Sequence, residues 1–255
     1  MKKSIATICT ALMIMILSSG MALAGNGRVG NFSKAVHGSN GGGTGTALLA
    51  YEEPDAEEIA ALTYMVEEEK LARDVYNTLY ETWNIPVFAN IAQAEQKHMD
   101  AIISLLDKYG LENPALLDAG SFVNTDLQTL YINLVAAGQT NEEEALLVGA
   151  TIEDVDISDL NHDLELVDNE DITRVFENLR RGSENHLRAF SALLTLYGYA
   201  PYEAQFLTQD EIDEILAAPR SNGKGRNDSA NGGLAGPQSR MGDADGDGVC
   251  DFLQQ

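Results

Sequence analysis

Cysteine and positive charge are both scarce in this chain, and each scarcity excludes a class of protein. The only cysteines are Cys9 and Cys250. Because we predict that Cys9 is removed with a signal peptide, a framework of internal disulfides is excluded. The 16 lysines and arginines stand against 40 acidic residues, which gives a formal charge of −24. Such a surface repels nucleic acid and concentrates cations, so we expect metal ions and no nucleic acid as partners. The alternative explanation of the charge is solubility or adaptation to salt.

The apolar run over residues 5–17 is too short for a comfortable membrane span. It follows two lysines and precedes a small-residue segment that ends at Ala24. This arrangement predicts a secretory signal peptide over residues 1–24, with an uncleaved anchor as the alternative. We therefore expect no membrane span after cleavage and a secreted, periplasmic or cell-exterior location.

Strand patterns and internal repeats are also absent, and the periodicity of the chain is helical. Gly-rich and Gly/Asn/Ser-rich composition predicts flexible linkers over 25–52 and 219–242, with an all-α domain over 53–218 between them. The predicted helices run from a cap at Asp55 to about Glu81, from Pro86 to Tyr109, from a cap at Thr125 to Ala137, from a cap at Thr140 to about Leu160, from about Asn169 to Tyr197, and from a cap at Thr208 to Ala217. The four long helices favour a four-helix bundle with short extra helices.

Ionisable residues interrupt the apolar stripe of the second predicted helix. Glu95 and His98 lie on the same face as Ile91, Met99 and Ile102, and that face is the one expected to be buried. Burying an unpaired carboxylate is costly, so Glu95 needs a partner, and a metal ion is one candidate. Glu-x-x-His is an arrangement used for metal ligation inside helical bundles.

The other long helices carry similar interruptions. The inward-facing polar residues of the four helices are Glu69, Glu95 with His98, Glu153, and His186 with Ser183. Taken singly, each is also explained as a boundary carboxylate or a hydrogen-bonded core histidine. Their coincidence on four helices predicts a buried metal site for iron, manganese or zinc, and a bundle cavity can hold two such ions bridged by carboxylates, for which Glu95 and Glu153 are the candidates.

Five further residues complete the prediction for the bundle interior. Tyr76 lies two turns from Glu69 and is expected to line the same pocket, as the one candidate catalytic residue. We expect Glu67 and Glu68 to fall to the sides of their helix, solvated or paired, and Glu184 and Asn185 to rotate away from the interior.

Two motifs resemble the ferritin-like superfamily. The segment Glu69–Tyr76 resembles the first-helix Glu-x-x-Ala-Arg-x-x-Tyr of its rubrerythrin-like branch, and Glu95–His98 resembles the second-helix Glu-x-x-His. Residues 149–160 and 181–190 look like a bacterial and archaeal ferritin-like family of unknown function. The resemblance covers most of residues 57–198. It implies a di-iron or dimanganese centre that reacts with dioxygen or peroxide and oxidises ferrous iron.

The fourth long helix, predicted from about Asn169 to Tyr197, departs from that pattern. Rubrerythrin-like proteins carry a second Glu-x-x-His there, and this chain has Ser183 three residues before His186. Asp156, or Glu153 in a bridging mode, is the candidate to compensate; otherwise the site holds one metal, holds two asymmetrically, or lacks redox chemistry. There is no second cysteine motif for a rubredoxin-type domain, so electrons come from substrate or from a separate donor that the sequence does not identify.

The acidic C-terminal segment, residues 243–255, predicts a calcium loop. Carboxylates at positions 1, 3, 5 and 9, with glycine at position 6, resemble the loops of EF-hands and thrombospondin type 3 repeats; they are Asp243, Asp245, Asp247 and Asp251. The bidentate glutamate expected at position 12 is replaced by Gln254, and a disordered acidic tail is the alternative. Cys250 either pairs between chains, which gives a homodimer, or stays a free thiol.

Two functions therefore follow from the sequence. The first is an exported ferritin-like metalloprotein that oxidises ferrous iron or reduces peroxide or dioxygen. The second is a non-enzymatic secreted surface or interaction module, whose inner polar residues form a hydrogen-bond network and whose calcium-binding tail serves attachment.

Overall fold

Six helices make up the regular structure of residues 53–219, the part of the chain that the computed structural model describes, and this part contains no strand. They are α1 (Ala56–Trp83), α2 (Pro86–Tyr109), α3 (Thr125–Gly138), α4 (Glu142–Leu166), α5 (Glu170–Leu196) and α6 (Gln209–Ala217). The prediction of an all-α fold is confirmed. The predicted signal peptide, the linker over 25–52, all of the linker over 219–242 except residue 219, and the calcium loop lie outside the described residues.

Local sequence explains where most helices begin and end. The predicted capping boxes of α1 and α6 are confirmed, at Asp55 with Glu58 and at Thr208 with Glu211. Pro86 opens α2, and Gly110 ends it in the left-handed conformation. These terminal signals are local, so they could be read from the sequence alone.

Three predicted helix ends were wrong. Asn124, not Thr125, caps α3, and Asn141, not Thr140, caps α4, because the asparagine side chain accepts the backbone N–H groups of the first turn. The helix α4 also continues past the predicted end at about Leu160 to Leu166, since no glycine or proline interrupts residues 161–166.

The long helices pack as two pairs. Short connections join α1 to α2 and α4 to α5, and the most extensive contacts lie within these pairs. Further contacts join α1 to α4 and α2 to α5, so each long helix touches two others. The helix α3 lies against α1 and α4, and α6 lies against α5.

The buried interior is divided into two apolar clusters. One contains Tyr76, Phe88, Ala150 and Phe190 among its members, and the other contains Met65, Ile102, Leu160 and Phe176. On α1 the first cluster begins at Leu71 and the second ends at Val66, so Glu67–Lys70 lies between them. A layer of buried polar residues therefore separates the two clusters. Within the described residues, no helix is long and apolar enough to cross a membrane.

Candidate metal centre

The predicted ligands meet in the polar layer between the two apolar clusters. Glu69, Glu95, Glu153 and His186 are each no more than 2 % exposed. The side chain of His98 is 14 % exposed, so this edge of the group alone approaches solvent. The five residues come from α1, α2, α4 and α5, as the interrupted apolar stripes predict.

The first half of the group consists of Glu69, Glu95 and His98. The Nδ1 atom of His98 lies 2.8 Å from Glu95 Oε2 and 3.2 Å from Glu69 Oε2. One donor atom from each residue lies within 4.8 Å of the others, a spacing that suits a metal ion.

The second half consists of Glu95, Glu153 and His186. The Nδ1 atom of His186 lies 2.9 Å from Glu95 Oε1 and 3.4 Å from Glu153 Oε2. These residues also have donor atoms within 4.8 Å of one another. The two imidazole rings stack with centroids 5.6 Å apart. Glu95 thus belongs to both halves, with one carboxylate oxygen facing each histidine.

Several of these donor atoms are buried without a hydrogen bond. They are Glu69 Oε1, Glu95 Oε1 and His186 Nδ1, which have no hydrogen-bond partner in the described part of the chain. Glu95 Oε1 and His186 Nδ1 are close, but their orientation does not meet the angles of a hydrogen bond. Leaving buried polar atoms unpaired is costly, and oxygen and imidazole nitrogen are donors that iron, manganese and zinc accept. The residues therefore fit a dinuclear metal group.

Burial and mutual charge set the ionisation of the group. Burial raises the pKa of Glu69 to about 8, against the lowering effect of His98. Burial and the charge of Glu95 likewise raise the pKa of Glu153 to about 7. Burial alone would raise the pKa of Glu95, but the charges of His186 and His98 outweigh it and lower that pKa.

The two histidines respond in the opposite direction. Burial alone would lower the pKa of His186, but the carboxylates of Glu95 and Glu153 raise it to about 10. The carboxylates of Glu69 and Glu95 similarly outweigh burial and raise the pKa of His98 well above its ordinary value. Both shifts favour the protonated imidazole in the metal-free protein, so metal binding at these histidines must displace protons.

Tyr76 orients the carboxylate of Glu153. Its hydroxyl donates to Glu153 Oε1 and lies 3.3 Å from the Gly149 carbonyl oxygen. The Tyr76 ring packs against Phe190 and Phe88, with centroids 5.4 and 6.2 Å away. Tyr76 thus lines the site, and this aromatic group closes the Glu153 side.

Ser183 and Asp156 contact each other and join neither half. The Ser183 hydroxyl donates to Asp156 Oδ2. Burial and the charges of Glu69 and Glu153 raise the pKa of Asp156 well above its ordinary value, so it lies beside the centre. The structure does not bring Asp156 into either group of metal-compatible donors.

Gly182 allows His98 to occupy its position. A Cβ atom at residue 182 would lie 2.5 Å from His98 Nε2, closer than real contacts of this kind. The sequence offered a signal for this residue, because a glycine inside a long helix lowers helical stability and usually has a packing reason.

Two expectations for neighbouring residues were wrong, and one was met in its second alternative. Glu67 is buried and paired rather than solvated, because its carboxylate accepts the backbone N–H groups of Val123 and Asn124. Glu68 is 4 % exposed, because the contact between α1 and α4 covers it. Asn185 is also buried rather than rotated away, and its side chain accepts from Arg188.

Sequence reasoning missed one buried carboxylate entirely. Asp154 is fully buried and accepts hydrogen bonds from the Tyr202 hydroxyl and from the backbone of Gln205, Phe206 and Leu207. It fixes the segment between α5 and α6 to α4. No local pattern marks this role, because every partner lies about fifty residues away along the chain.

The helical region is similar to proteins from one archaeon. Residues 58–219 match the family model described as "Uncharacterized protein domain (DUF2202)". "Uncharacterized protein MJ0754" of Methanocaldococcus jannaschii is 48 % identical over 171 residues, which cover 67 % of this chain and 92 % of that protein. The crystal structure of "hypothetical protein MJ0754 from Methanococcus jannaschii" matches with a TM-score of 0.66 and 45 % identity, and covers 69 % of this chain and 100 % of that chain.

Proposed function

This chain belongs to the DUF2202 domain family, and from the geometry of its polar layer we propose that it is a ferritin-like four-helix-bundle protein with a carboxylate-bridged dinuclear centre of iron or manganese. Its proposed activity is oxidation of ferrous iron or reduction of peroxide or dioxygen. The observation that carries the proposal is the pair of three-residue groups that share Glu95.

Each proposed ligand has a separate task. Glu69 and His98 would hold one ion, Glu153 and His186 would hold the other, and Glu95, which belongs to both groups, would serve both. A pair of ferrous ions held there would supply the two electrons that reduce one hydrogen peroxide to two waters, with uptake of two protons. The halves are not equivalent, since His98 reaches solvent and His186 does not.

The surrounding residues prepare the site rather than react. The Tyr76 hydroxyl holds Glu153 in one orientation, and the aromatic rings beside it exclude water from that side. The Ser183 hydroxyl, which donates to Asp156 Oδ2, stands where a rubrerythrin-like protein has a carboxylate ligand. We therefore infer an asymmetric centre with one fewer carboxylate than that branch uses.

A second function is favoured by the same ion contacts. The pairs His98–Glu95 and His186–Glu95 form a charge network without any metal. In that case the interior polar layer is structural, and the protein is a non-enzymatic surface or interaction module.

We also propose, from the predicted signal peptide and acidic loop, that the protein is exported and binds calcium at its C-terminal segment. Amino-terminal sequencing of the mature protein tests export, and calcium titration of Asp245→Ala against wild type tests the calcium loop.

Metal analysis of the purified protein separates the two functions. After anaerobic incubation with ferrous ion and removal of excess metal, the proposal predicts two ions per chain in wild type. Glu95→Ala should lose both ions, because it removes the shared ligand, and His98→Ala should lose one. Glu184→Gln, a charge-neutralising change on α5 outside the two groups, is the matched control and should bind two. A well-folded wild type that cannot be loaded with iron or manganese would overturn the proposal and support the structural alternative.

A further inference from the structure

A row of carboxylates continues from the candidate centre along the contact between α1 and α4. Asp156, Asp159 and Asp163 are three and four residues apart, so they share one face of α4 and span about 10 Å along its axis. Glu68 of α1 lies among them, and its strongest charge interactions are with Asp159 and Asp156. Asp156 in turn lies close to Glu69 of the centre. We call these four residues, Glu68, Asp156, Asp159 and Asp163, the acidic row.

Burial increases along the acidic row toward the centre. Asp163 and Asp159 are partly exposed, whereas Glu68 and Asp156 are 4 % and 6 % exposed. The row therefore connects a solvent-accessible end with the buried donor atoms of Glu69. It approaches the centre from the contact of α1 with α4, while His98 reaches solvent from α2.

Two members of the row have buried oxygen atoms without partners. Glu68 Oε2 and Asp156 Oδ1 are inaccessible and accept no hydrogen bond within the described residues. No lysine or arginine between residues 53 and 219 forms an ion pair with any member of the row. Neighbouring buried carboxylates behave differently: Glu58, Glu67 and Asp154 each accept backbone N–H groups that fix a loop. The row fixes no loop in this way: Asp156 accepts from the Ser183 hydroxyl, and Asp159 shares a side-chain hydrogen bond with Glu68.

The geometry points to the acidic row as an uptake path along which a divalent transition-metal cation passes from Asp163, past Asp159 and Glu68, to Asp156 and Glu69. The inference rests on the proposed dinuclear centre and deepens it by assigning its supply route. Carboxylate oxygens are ligands that bind such cations, and a row of carboxylates without a lysine or arginine partner raises the local concentration of cations and speeds their association. Because the row contributes no ligand to the centre, it affects how fast the metal arrives and not how much is bound.

Stopped-flow uptake of Co²⁺ by the metal-free, full-length protein tests the path, with the visible absorption of the bound ion as the signal. The variants are Asp159→Asn and Asp163→Asn, which keep side-chain size and remove one charge each. Glu165→Gln is the matched control, since Glu165 is exposed on the same helix but outside the acidic row. Equilibrium stoichiometry is measured on the same samples, and circular dichroism verifies that each variant is folded.

We expect each row variant to take up Co²⁺ about tenfold more slowly than wild type, with unchanged stoichiometry and with a weaker dependence of the rate on salt. The Glu165→Gln control should match wild type. Uptake rates of both row variants equal to the control would overturn the path while leaving the centre intact, and would assign uptake to the His98 side. Failure of wild type to bind Co²⁺ at equilibrium would overturn the centre and the path together.

Discussion

Replacement of Gly182 by alanine adds one methyl group in the middle of α5, directly against a proposed ligand. The new Cβ atom would lie 2.5 Å from His98 Nε2 and 2.6 Å from its Cε1. Since carbon atoms make favourable contacts from about 3.5 Å, the imidazole must move by about 1 Å. His98 is a side chain rather than backbone, so we expect the ring to move and the helix to stay in place.

Two effects of this substitution oppose each other in the metal-free protein. Alanine is favoured over glycine inside a helix by about 1 kcal/mol. Displacement of His98 weakens its contacts with Glu95 and Glu69, which offsets that gain. We therefore expect the free energy of unfolding to change by no more than about 1 kcal/mol.

Metal binding should respond much more strongly. Metal–ligand distances tolerate only about 0.2 Å of error, so a shift of about 1 Å removes His98 from coordination. We expect the affinity of the half that contains His98 to fall at least tenfold, about the cost of disturbing ligand support, while the half that contains His186 keeps its ion. Equilibrium dialysis against Co²⁺ and thermal unfolding of the metal-free protein measure the two quantities.

An exposed position supplies the control for Gly182→Ala. Asn77→Ala on α1 also raises helix propensity, but residue 77 faces solvent and should leave both ions bound. If Gly182→Ala bound two ions with wild-type affinity, the inferred position of His98 in the centre would be refuted.

Three further predictions concern residues around the centre. Tyr76→Phe should destabilise the metal-free protein by about 1.5–3 kcal/mol in chemical denaturation, because the buried Glu153 carboxylate loses its hydroxyl donor; an unchanged midpoint would contradict this. Asp154→Asn should cost about 2–4 kcal/mol and expose residues 202–207 to proteolysis, with metal stoichiometry unchanged; loss of metal would show that Asp154 does more than fix that segment. Burial, with repulsion from Asp163, raises the pKa of Asp159 to about 6, above its ordinary 3.8, so the folded metal-free protein loses stability as the pH rises from about 4 to 6 and this carboxyl group gives up its proton. Asp159→Asn should therefore raise the melting temperature at pH 7 and leave it unchanged at pH 4. An equal gain at both pH values would show that the charge of Asp159 is not the cause.

The sequence indicates the helices well wherever their signals are local. The bounds of α2 were predicted as Pro86 and Tyr109, because proline and glycine flank them. The caps of α3 and α4 were misassigned by one residue, because asparagine and threonine stand side by side and both can accept the same backbone N–H groups.

The five proposed ligands could be identified because each one interrupts an apolar stripe. Glu95 was also predicted as a shared ligand, but the grouping of Glu69 with His98 and of Glu153 with His186 was not, because it depends on the rotation of four helices about their axes. The suggestion from the sequence that Glu153 is a second bridge stays a prediction; in the structure Glu153 lies near His186, Tyr76 and Glu95. Glu68 was wrongly expected at the exposed side of its helix. That side is buried because α4 packs against α1, and the sequence of α1 does not show this contact.

Anomalous diffraction from crystals of the manganese-loaded protein tests the central proposal most directly. We expect two anomalous peaks per chain, one among Glu69, Glu95 and His98 and the other among Glu95, Glu153 and His186, with Glu95 contacting both. A single peak, or two peaks without a shared Glu95 contact, would contradict the bridged dinuclear centre. Absence of any peak within the polar layer would contradict the metalloprotein proposal itself.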